Sequence, residues 1–262
     1  MALVLCHSPK GGAGTTFLAA HVAMGLIQLE GREWLDGEVT LLSLSPYDPM
    51  PLHFGLAPAV RLPGLASSAE AAVLAGGINL RCEPDAINDP DFLTMLDQAG
   101  YLSPTSTRVL VVDVPAAEHE LARALMPYAT VHLCPLAATP DCLSLLPQLL
   151  DETEASRAGQ TAFVIGRLDE TKRLARHIAA FTREVVRERL IGKIRQDEAV
   201  PEALAMLQTL ARYAPSSAAL ADAKAVGAKV ADMVVGIRAA LSAENRDDYD
   251  QAAAGSGKSR VA

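Results

Sequence analysis

A glycine-rich turn near the N-terminus is the stretch of this sequence whose residue types and spacing could do chemistry. It reads KGGAGTT over residues 10–16, follows an apolar strand-like run and precedes a helical pattern. In such a turn successive backbone N–H groups point at phosphate oxygens, and the following helix adds its positive end. The turn therefore predicts a phosphate-binding loop, with the Thr16 hydroxyl where Mg²⁺ would be coordinated.

The loop departs from the usual pattern at one position. The motif G-x-x-x-x-G-K-[ST] carries a lysine after its last glycine, and here Thr15 stands there. A dinucleotide fingerprint does not fit, because Phe17 occupies the position of its third glycine. Three possibilities stay open at this point: a loop that binds a nucleotide, one that also hydrolyses it, or a relic that binds nothing.

The surrounding pattern alternates strand-like and helix-like segments, which favours an α/β fold with a mostly parallel sheet. Strands are predicted near 2–7, 39–45, 78–82, 108–113, 129–134, 161–166 and 189–194. Helices are predicted at 16–30, 67–75, 90–99, 117–126, 140–151, 169–187, 198–211 and 217–242. The runs at 108–113 and 161–166 are continuously apolar, as expected of strands covered by helices on both faces.

Length and composition limit the organisation of the chain. A sequence of 262 residues, half of them apolar, can form one α/β domain, which we assign to residues 1–243. The tail 244–262 has almost no large apolar residue and is predicted to be disordered. Five prolines between Pro46 and Pro63 predict a long surface loop without regular structure. Without a membrane span or an export signal, the expected location is cytoplasmic.

Charge is unevenly distributed. The net charge of −8 argues against nucleic acid as a partner, yet residues 167–195 contain nine Lys or Arg and four acids. On the predicted helix 169–187, residues 174, 178, 181 and 185 make an apolar face, which we expect to lie in the core. Opposite it lies what we call the basic stripe, which consists of Lys172, Arg176, Arg183 and Arg187. It is a solvated face, a docking surface for an acidic partner, or a surface that binds nucleic acid.

Other titratable residues give little signal. No two of the six histidines stand at metal-ligand spacing, so no zinc site is predicted. Asp141 is expected to be ordinary charge at a helix end.

The loop resembles the deviant Walker A motif, K-G-G-x-G-K-[ST]-[ST], of the ParA/MinD family of dimeric ATPases. Lys10 matches the extra lysine that opens this motif, whereas Thr15 replaces the ordinary loop lysine. The stretch RVLVVDVPA, at 108–116, resembles the family's Walker B strand and places Asp113 at its carboxylate. The segment from Leu190 to Asp222 resembles the family's region after the last core strand.

This resemblance implies a three-layer P-loop NTPase fold, ATP and Mg²⁺ as cofactors, and a homodimer in which Lys10 reaches the partner's nucleotide. The nucleotide-binding residues it implies are Lys10, Gly11, Gly12, Ala13, Gly14, Thr15 and Thr16. Thr16 and, through water, Asp113 would serve Mg²⁺.

Two departures from the family bear on catalysis and base selection. Ser43 and Ser45 stand where the family's second strand ends in D-x-D, and Gly166 replaces an asparagine that reads the base. We therefore expect at most a weak ATPase and assign no catalytic residue.

Within the family, the chain most resembles the bacterial cellulose-biosynthesis branch, in which G-G-x-G-T-T occurs. The segment RQDEAVPEALA, at 195–205, is similar to an RDEA stretch of that branch. The implied role is a regulator or scaffold at the cytoplasmic side of the synthase, peripheral to the inner membrane through partner proteins of that complex. The acidic tail argues against direct membrane insertion. The alternatives are a DNA- or cell-pole-positioning partition ATPase, and an interaction protein that binds no nucleotide.

Overall fold

A computed structural model describes residues 2–27, 39–47, 49–103, 108–155 and 160–236. The strands of these residues form one sheet. They are β1 (Ala2–Cys6), β2 (Val39–Ser43), β3 (Val73–Ala75), β4 (Ile78–Cys82), β5 (Val109–Asp113), β6 (Val131–Ala137), β7 (Gln160–Leu168) and β8 (Leu190–Arg195). The strand order is β3-β4-β2-β5-β1-β6-β7-β8, and every pair is parallel except β3 with β4.

The helices follow the strands in alternation. They are α1 (Thr15–Ile27), α2 (Met50–His53), α3 (Phe92–Gln98), α4 (His119–Leu125), α5 (Pro140–Ala155), α6 (Arg173–Val186), α7 (Ala199–Ala205), α8 (Leu210–Tyr213) and α9 (218–236). Within the described part of the chain, no helix is both long enough and apolar enough to cross a membrane. The predicted tail 244–262 and the end of the predicted helix 217–242 lie outside the described residues.

The central strand β1 shows why the sheet needs helices on both sides. Ala2, Val4 and Cys6 face one core with α1 and α9, whereas Leu3 and Leu5 face a second core with α3 and α4. All five residues are completely buried. A strand buried on both faces reads as a continuous apolar run, because neither set of alternate side chains meets water. The predicted α/β fold with a mostly parallel sheet and two helical layers is confirmed.

The predicted helix at 67–75 is wrong. A single 3₁₀ turn at Ala69–Ala71 leads into the short edge strand β3, which pairs antiparallel with β4. Gly76 and Gly77 connect the two strands, with φ of 59° and 84°. This backbone region is open to glycine at no steric cost, so the Gly-Gly pair forms a tight hairpin.

Two more boundaries differ from the predictions. The proline-rich segment contains one helical turn, α2, with Pro51 in the first turn, where a missing N–H is tolerated. The predicted helix 198–211 divides into α7 and α8 because Leu207 adopts a φ of 52° and interrupts the helical hydrogen bonding.

The expected core face of the predicted helix 169–187 was wrong at two of its four residues. In α6 the side chains of Leu174 and Phe181 are 59% and 52% exposed. Ile178 is buried as predicted and Val185 is half-buried, but the other buried residues of the helix are Ala175, Thr182 and Val186. Ala175 packs in a cluster with Ile165 and Leu168 of β7. The helix is thus rotated toward its smaller side chains, leaving the larger apolar residues at the edge of the interface.

Candidate nucleotide-binding site

The phosphate loop connects the buried end of β1 to the start of α1. Gly12 and Gly14 have φ of 81° and 93°, a left-handed conformation that favours glycine. The Leu18 backbone N–H donates to the Gly14 carbonyl at 3.0 Å, so the helix begins directly from the loop. The sequence therefore provides the glycines that the backbone conformation requires, and the predicted loop–helix arrangement is present.

Thr15 and Thr16 form the first turn of α1, and both are partly exposed. The helix has 13 residues, and its N-terminus favours an anion through free N–H groups and the helix dipole. Thr15 adds a hydroxyl but no positive charge, whereas the usual lysine reaches the β- and γ-phosphates. The site retains its backbone donors and loses its central cation.

The second lysine of the motif is paired within the same chain. Lys10 Nζ lies 3.0 Å from Asp141 Oδ2 at the start of α5, and the two side chains are 47% and 51% exposed. Hydrogen bonds from Thr139 and then from Lys10 lower the pKa of Asp141 to about 2. Pairs this exposed contribute little stability, so a competing phosphate could displace the carboxylate. Asp141 is more than the helix-end charge that the sequence suggested.

Asp113 ends β5 and lies deep in the site, with 4% of its surface exposed. The strand register places it beside Ser43 of β2 and Cys6 of β1. Burial and the Asp113 carboxylate together raise the pKa of the Cys6 thiol. The carboxyl ends of parallel strands meet at this edge of the sheet, which is where α/β proteins bind ligands.

The hydroxyl groups of the two serines at the end of β2 make hydrogen bonds with the backbone of their own turn. Ser43 Oγ accepts a hydrogen bond from the Ser45 backbone N–H at 3.3 Å, and Ser45 Oγ donates to the Tyr47 carbonyl at 3.2 Å. A neutral hydroxyl is a poor base for water, and these two also hold their own turn together. The position that carries carboxylates in the ParA/MinD family therefore provides none.

Arg167 is a residue of the site that was not predicted from the sequence. Its Nη1 donates to the Gly12 carbonyl of the loop at 3.3 Å. The residue has a φ of 49°, and the pairing of β7 with β8 shifts register between Ile165 and Leu168. Only the excess of basic residues over 167–195 hinted at it, because no motif marks an arginine at this position.

Gly166 explains how closely β7 approaches the loop. A Cβ placed on Gly166 would lie 2.1 Å from the Ala13 carbonyl oxygen. No other residue type can stand here while both backbones keep their positions. The residue expected to affect base selection is thus also a packing requirement of the loop.

Two cavities adjoin the loop. One of about 280 Å³ is lined by Ala13, Phe17, Arg167 and residues of the β8–α7 region. The other, of about 340 Å³, is lined by Lys10, Gly12, Arg167 and Lys172. The loop thus has space on both sides, with cations around the second cavity.

The basic stripe is exposed along its whole length, but its first two members have local partners. Lys172 pairs with Asp169 at 3.1 Å, and Arg176 donates to the carbonyls of Glu170 and Thr171. Lys172 therefore belongs partly to the surroundings of the loop and only partly to an outer face.

The fold and the loop define a P-loop protein of the ParA/MinD class. Within it, the family profile of the cellulose biosynthesis protein BcsQ matches residues 93–230, and the chain belongs to this family. That match begins after the phosphate loop. A comparison with curated proteins finds no match.

Solved structures with this fold come from several organisms. The septum site-determining protein MinD of Pyrococcus horikoshii, complexed with Mg-ADP, is 16% identical, with 90% of this chain and 98% of that chain covered and a TM-score of 0.64. A ParA family ATPase of Chlorobium tepidum is 17% identical, with 86% and 96% covered and a TM-score of 0.67. A point variant of Cyanothece McdA in complex with ATP is 16% identical, with 90% and 96% covered and a TM-score of 0.63. At these identities the likeness establishes the fold.

Proposed function

We propose that this protein binds Mg·ATP as a slow or inactive ATPase and acts as a regulator or scaffold in bacterial cellulose synthesis and secretion. The BcsQ family match supports the cellulose role. The single observation that carries the nucleotide proposal is the loop itself, with Gly12 and Gly14 in left-handed conformations immediately before α1.

The residues present fit a magnesium nucleotide. Gly12, Ala13 and Gly14 would hold phosphates through backbone N–H groups, and the Thr16 hydroxyl and the buried Asp113 carboxylate are oxygen ligands of the kind Mg²⁺ prefers. When bound, Mg²⁺ neutralises phosphate charge. The MinD of P. horikoshii and the Cyanothece McdA variant, solved with Mg-ADP and ATP, support the same ligand for this fold.

The same residues argue for slow turnover. Hydrolysis needs positive charge where the transferred phosphoryl group develops negative charge, and it needs a group that orients water. Thr15 provides no such charge, and the Ser43 and Ser45 hydroxyls are engaged with their own backbone. Loss of one contact of this kind typically costs a factor of about 100 to 1,000 in rate.

The proposed setting is cytoplasmic, as a homodimer that contacts components of the cellulose synthase complex and so lies peripheral to the inner membrane. Lys10 is the residue that would cross to the partner's nucleotide. Its pairing with Asp141 leaves it at the rim of a cavity beside the loop, half exposed and able to exchange partners.

Calorimetric titration with Mg·ATP, paired with a phosphate-release assay, tests the proposal. We expect saturable ATP binding and turnover below about 1 s⁻¹, the low end of ordinary enzyme rates. Faster turnover would refute the proposal of a slow or inactive ATPase. Absence of binding at millimolar ATP would instead favour an interaction protein on the same fold. Thr15→Lys should tighten binding in the first case, because it restores the missing cation.

A further inference from the structure

The C-terminal end of α6 carries two arginines that have no charged partner in the described part of the chain. Arg183 and Arg187 are exposed, and neither guanidinium group makes a hydrogen bond or an ion pair with a described residue. The other half of the basic stripe differs, because Lys172 and Arg176 have local partners. Unpaired positive charge is therefore concentrated at Arg183 and Arg187, which we call the basic end.

The backbone of Arg187 is unusual for an arginine. This residue follows the last residue of α6 with φ of 50° and ψ of −125°, a left-handed conformation that favours glycine. Glycine is the common residue after a helix because it adopts such a conformation without steric strain. A strained backbone at an exposed position points to a role for the side chain. The charge of Arg187, and not its turn, therefore explains the residue type.

Helix α9 ends close to the basic end. A cavity of about 590 Å³ is lined by Glu188 and Arg189, which directly follow Arg187, and by Asp232 and Met233 of α9. Gly236, the last described residue, lies three residues beyond Met233, and each helical residue adds about 1.5 Å along the axis. The chain therefore leaves α9 about one helical turn from a cavity that borders the end of α6.

The sequence beyond α9 contains a segment of the opposite charge. Residues 244–250, outside the described part of the chain, read ENRDDYD, with four acids and one basic residue. We call them the acidic segment. An extended chain spans about 3.3–3.6 Å per residue, so Glu244 can lie up to about 26–29 Å from Gly236. Helix α6, with 14 residues, is only about 21 Å long, so the acidic segment can reach the basic end.

We propose that the acidic segment folds back on its own chain and docks at the basic end, where its carboxylates pair with Arg183 and Arg187. Carboxylate and guanidinium groups form charge-assisted and often bidentate hydrogen bonds. A single exposed pair of this kind is weak. A tethered segment, however, has an effective concentration in the millimolar range, so several weak pairs are sufficient to hold it.

This docking regulates access to the basic stripe. The acidic segment covers the half of the stripe that has no local partners, so an acidic partner protein must displace it before binding there. The same holds for nucleic acid, whose phosphates would compete with the carboxylates for the two arginines. The nucleotide site takes no part in this competition.

Cross-linking with a carbodiimide, which joins a carboxylate directly to an amine, tests the contact in the full chain without nucleotide. The variant Arg183→Lys/Arg187→Lys provides amines at the basic end, and mass spectrometry locates the bonds. We expect cross-links from residues 183 and 187 to the acidic segment at low salt. They should fall at least about tenfold in ~1 M salt, because charges are then screened beyond about 3 Å.

Arg212→Lys is the matched control, because Arg212 is an exposed arginine on α8. It should give no cross-link to the acidic segment. A mixture of isotope-labelled and unlabelled chains shows whether each bond lies within one chain or joins two. The proposal is overturned if no bond reaches the acidic segment, if the bonds join two chains, or if Arg212→Lys gives as many as the double variant.

Binding of a fluorescent decaglutamate peptide, measured by anisotropy, tests whether the acidic segment masks the basic end. One full-length variant replaces the three aspartates of the acidic segment: Asp247→Asn, Asp248→Asn and Asp250→Asn. A control variant with the same change in charge replaces three exposed aspartates near α3: Asp85→Asn, Asp91→Asn and Asp97→Asn.

The variant of the acidic segment should bind the peptide at least about threefold more tightly than the wild type, because a masked surface lowers apparent affinity by the fraction that is open. The control variant should bind like the wild type. Equal affinity of the two variants would contradict the masking. Neither measurement uses ATP, so this proposal and the nucleotide proposal fail separately.

Discussion

Replacing Gly166 by alanine should push β7 away from the phosphate loop. The added Cβ would lie 2.1 Å from the Ala13 carbonyl oxygen, and both atoms belong to backbone. An ordinary carbon–oxygen contact is about 3.3 Å, so the strand and the loop must separate by about 1 Å. No side-chain rotation can relieve this overlap.

Both stability and ligand affinity should respond to this separation. Overpacking of this kind costs about 1–3 kcal/mol, and for a chain of this size each kcal/mol lowers Tm by about 2–4 °C. A loop displaced by about 1 Å also misplaces its N–H donors, and a hydrogen bond to a charged group is worth about 1.5–3 kcal/mol. Loss of one such bond weakens ATP binding about tenfold or more.

Thermal unfolding and ATP titration on three variants separate these effects. Gly236→Ala adds a Cβ into open space on α9, so it should keep the wild-type ATP affinity and a Tm equal to or slightly above that of the wild type, because Ala favours a helix over Gly. Gly192→Ala meets only the Val226 side chain, whose Cγ2 methyl group lies 2.6 Å away, and should lower Tm without changing ATP affinity. If Gly166→Ala keeps both the wild-type Tm and the wild-type affinity, the close approach of β7 does not constrain the loop.

Three further predictions concern the dimer, pH and nucleic acid. Lys10→Ala should weaken ATP-dependent dimerisation in sedimentation and Asp141→Asn should strengthen it; unchanged profiles would exclude the proposed role of Lys10. Burial lowers the pKa of His21 and His132 to about 4 and that of His53 to about 3, so the unfolded state binds more protons below pH 6.5. Urea unfolding should therefore show that the free energy of unfolding falls between pH 6.5 and 4, by at most about 1.4 kcal/mol per pKa unit for each histidine. A free energy of unfolding that stays constant over this pH range would contradict the prediction. Duplex DNA should bind weakly to the wild type and to the fourfold alanine variant of the basic stripe, whereas tight, salt-sensitive wild-type binding that the variant loses would favour the partition class.

The sequence predicted the sheet well because its strands are buried on both faces. β5 and the middle of β7 appear as uninterrupted apolar runs, and the glycine pattern between β1 and α1 locates the loop. These signals are local in the chain, so the order of neighbouring residues is sufficient to read them.

The parts that escaped prediction depend on contacts between distant residues. The approach of Gly166 to Ala13 and the pairing of Lys10 with Asp141 join segments more than 100 residues apart. The orientation of α6 was missed because Leu174 and Phe181 have the right spacing for a core face, yet Ala175 allows closer packing on β7. The spacing of hydrophobic residues predicts that a helix has an apolar face, but the volume of the side chains decides which edge of that face is buried.

The position of Arg167 suits it to support ATP binding rather than ATP hydrolysis. Its guanidinium is held on the Gly12 carbonyl of the loop and borders both cavities beside it. A lysine at residue 15 would instead extend from the helix start to the β- and γ-phosphates. Arg167 therefore adds positive charge beside the loop. It does not place a hydrogen-bond donor at the phosphoryl group that is transferred.

Arg167→Ala should therefore weaken ATP binding while leaving the slow turnover of bound ATP unchanged. A nearby exposed charge is worth about 1 kcal/mol in water, which corresponds to about a fivefold change in affinity. Because salt screens exposed charges, the difference in ATP affinity between the wild type and Arg167→Ala should be smaller at high ionic strength. Titrations at low and high ionic strength therefore test whether the effect is electrostatic. Arg183→Ala, an exposed arginine in the last turn of α6, is the charge-matched control and should bind like the wild type. A fall in turnover of the saturated enzyme would show instead that Arg167 acts on the reacting phosphate.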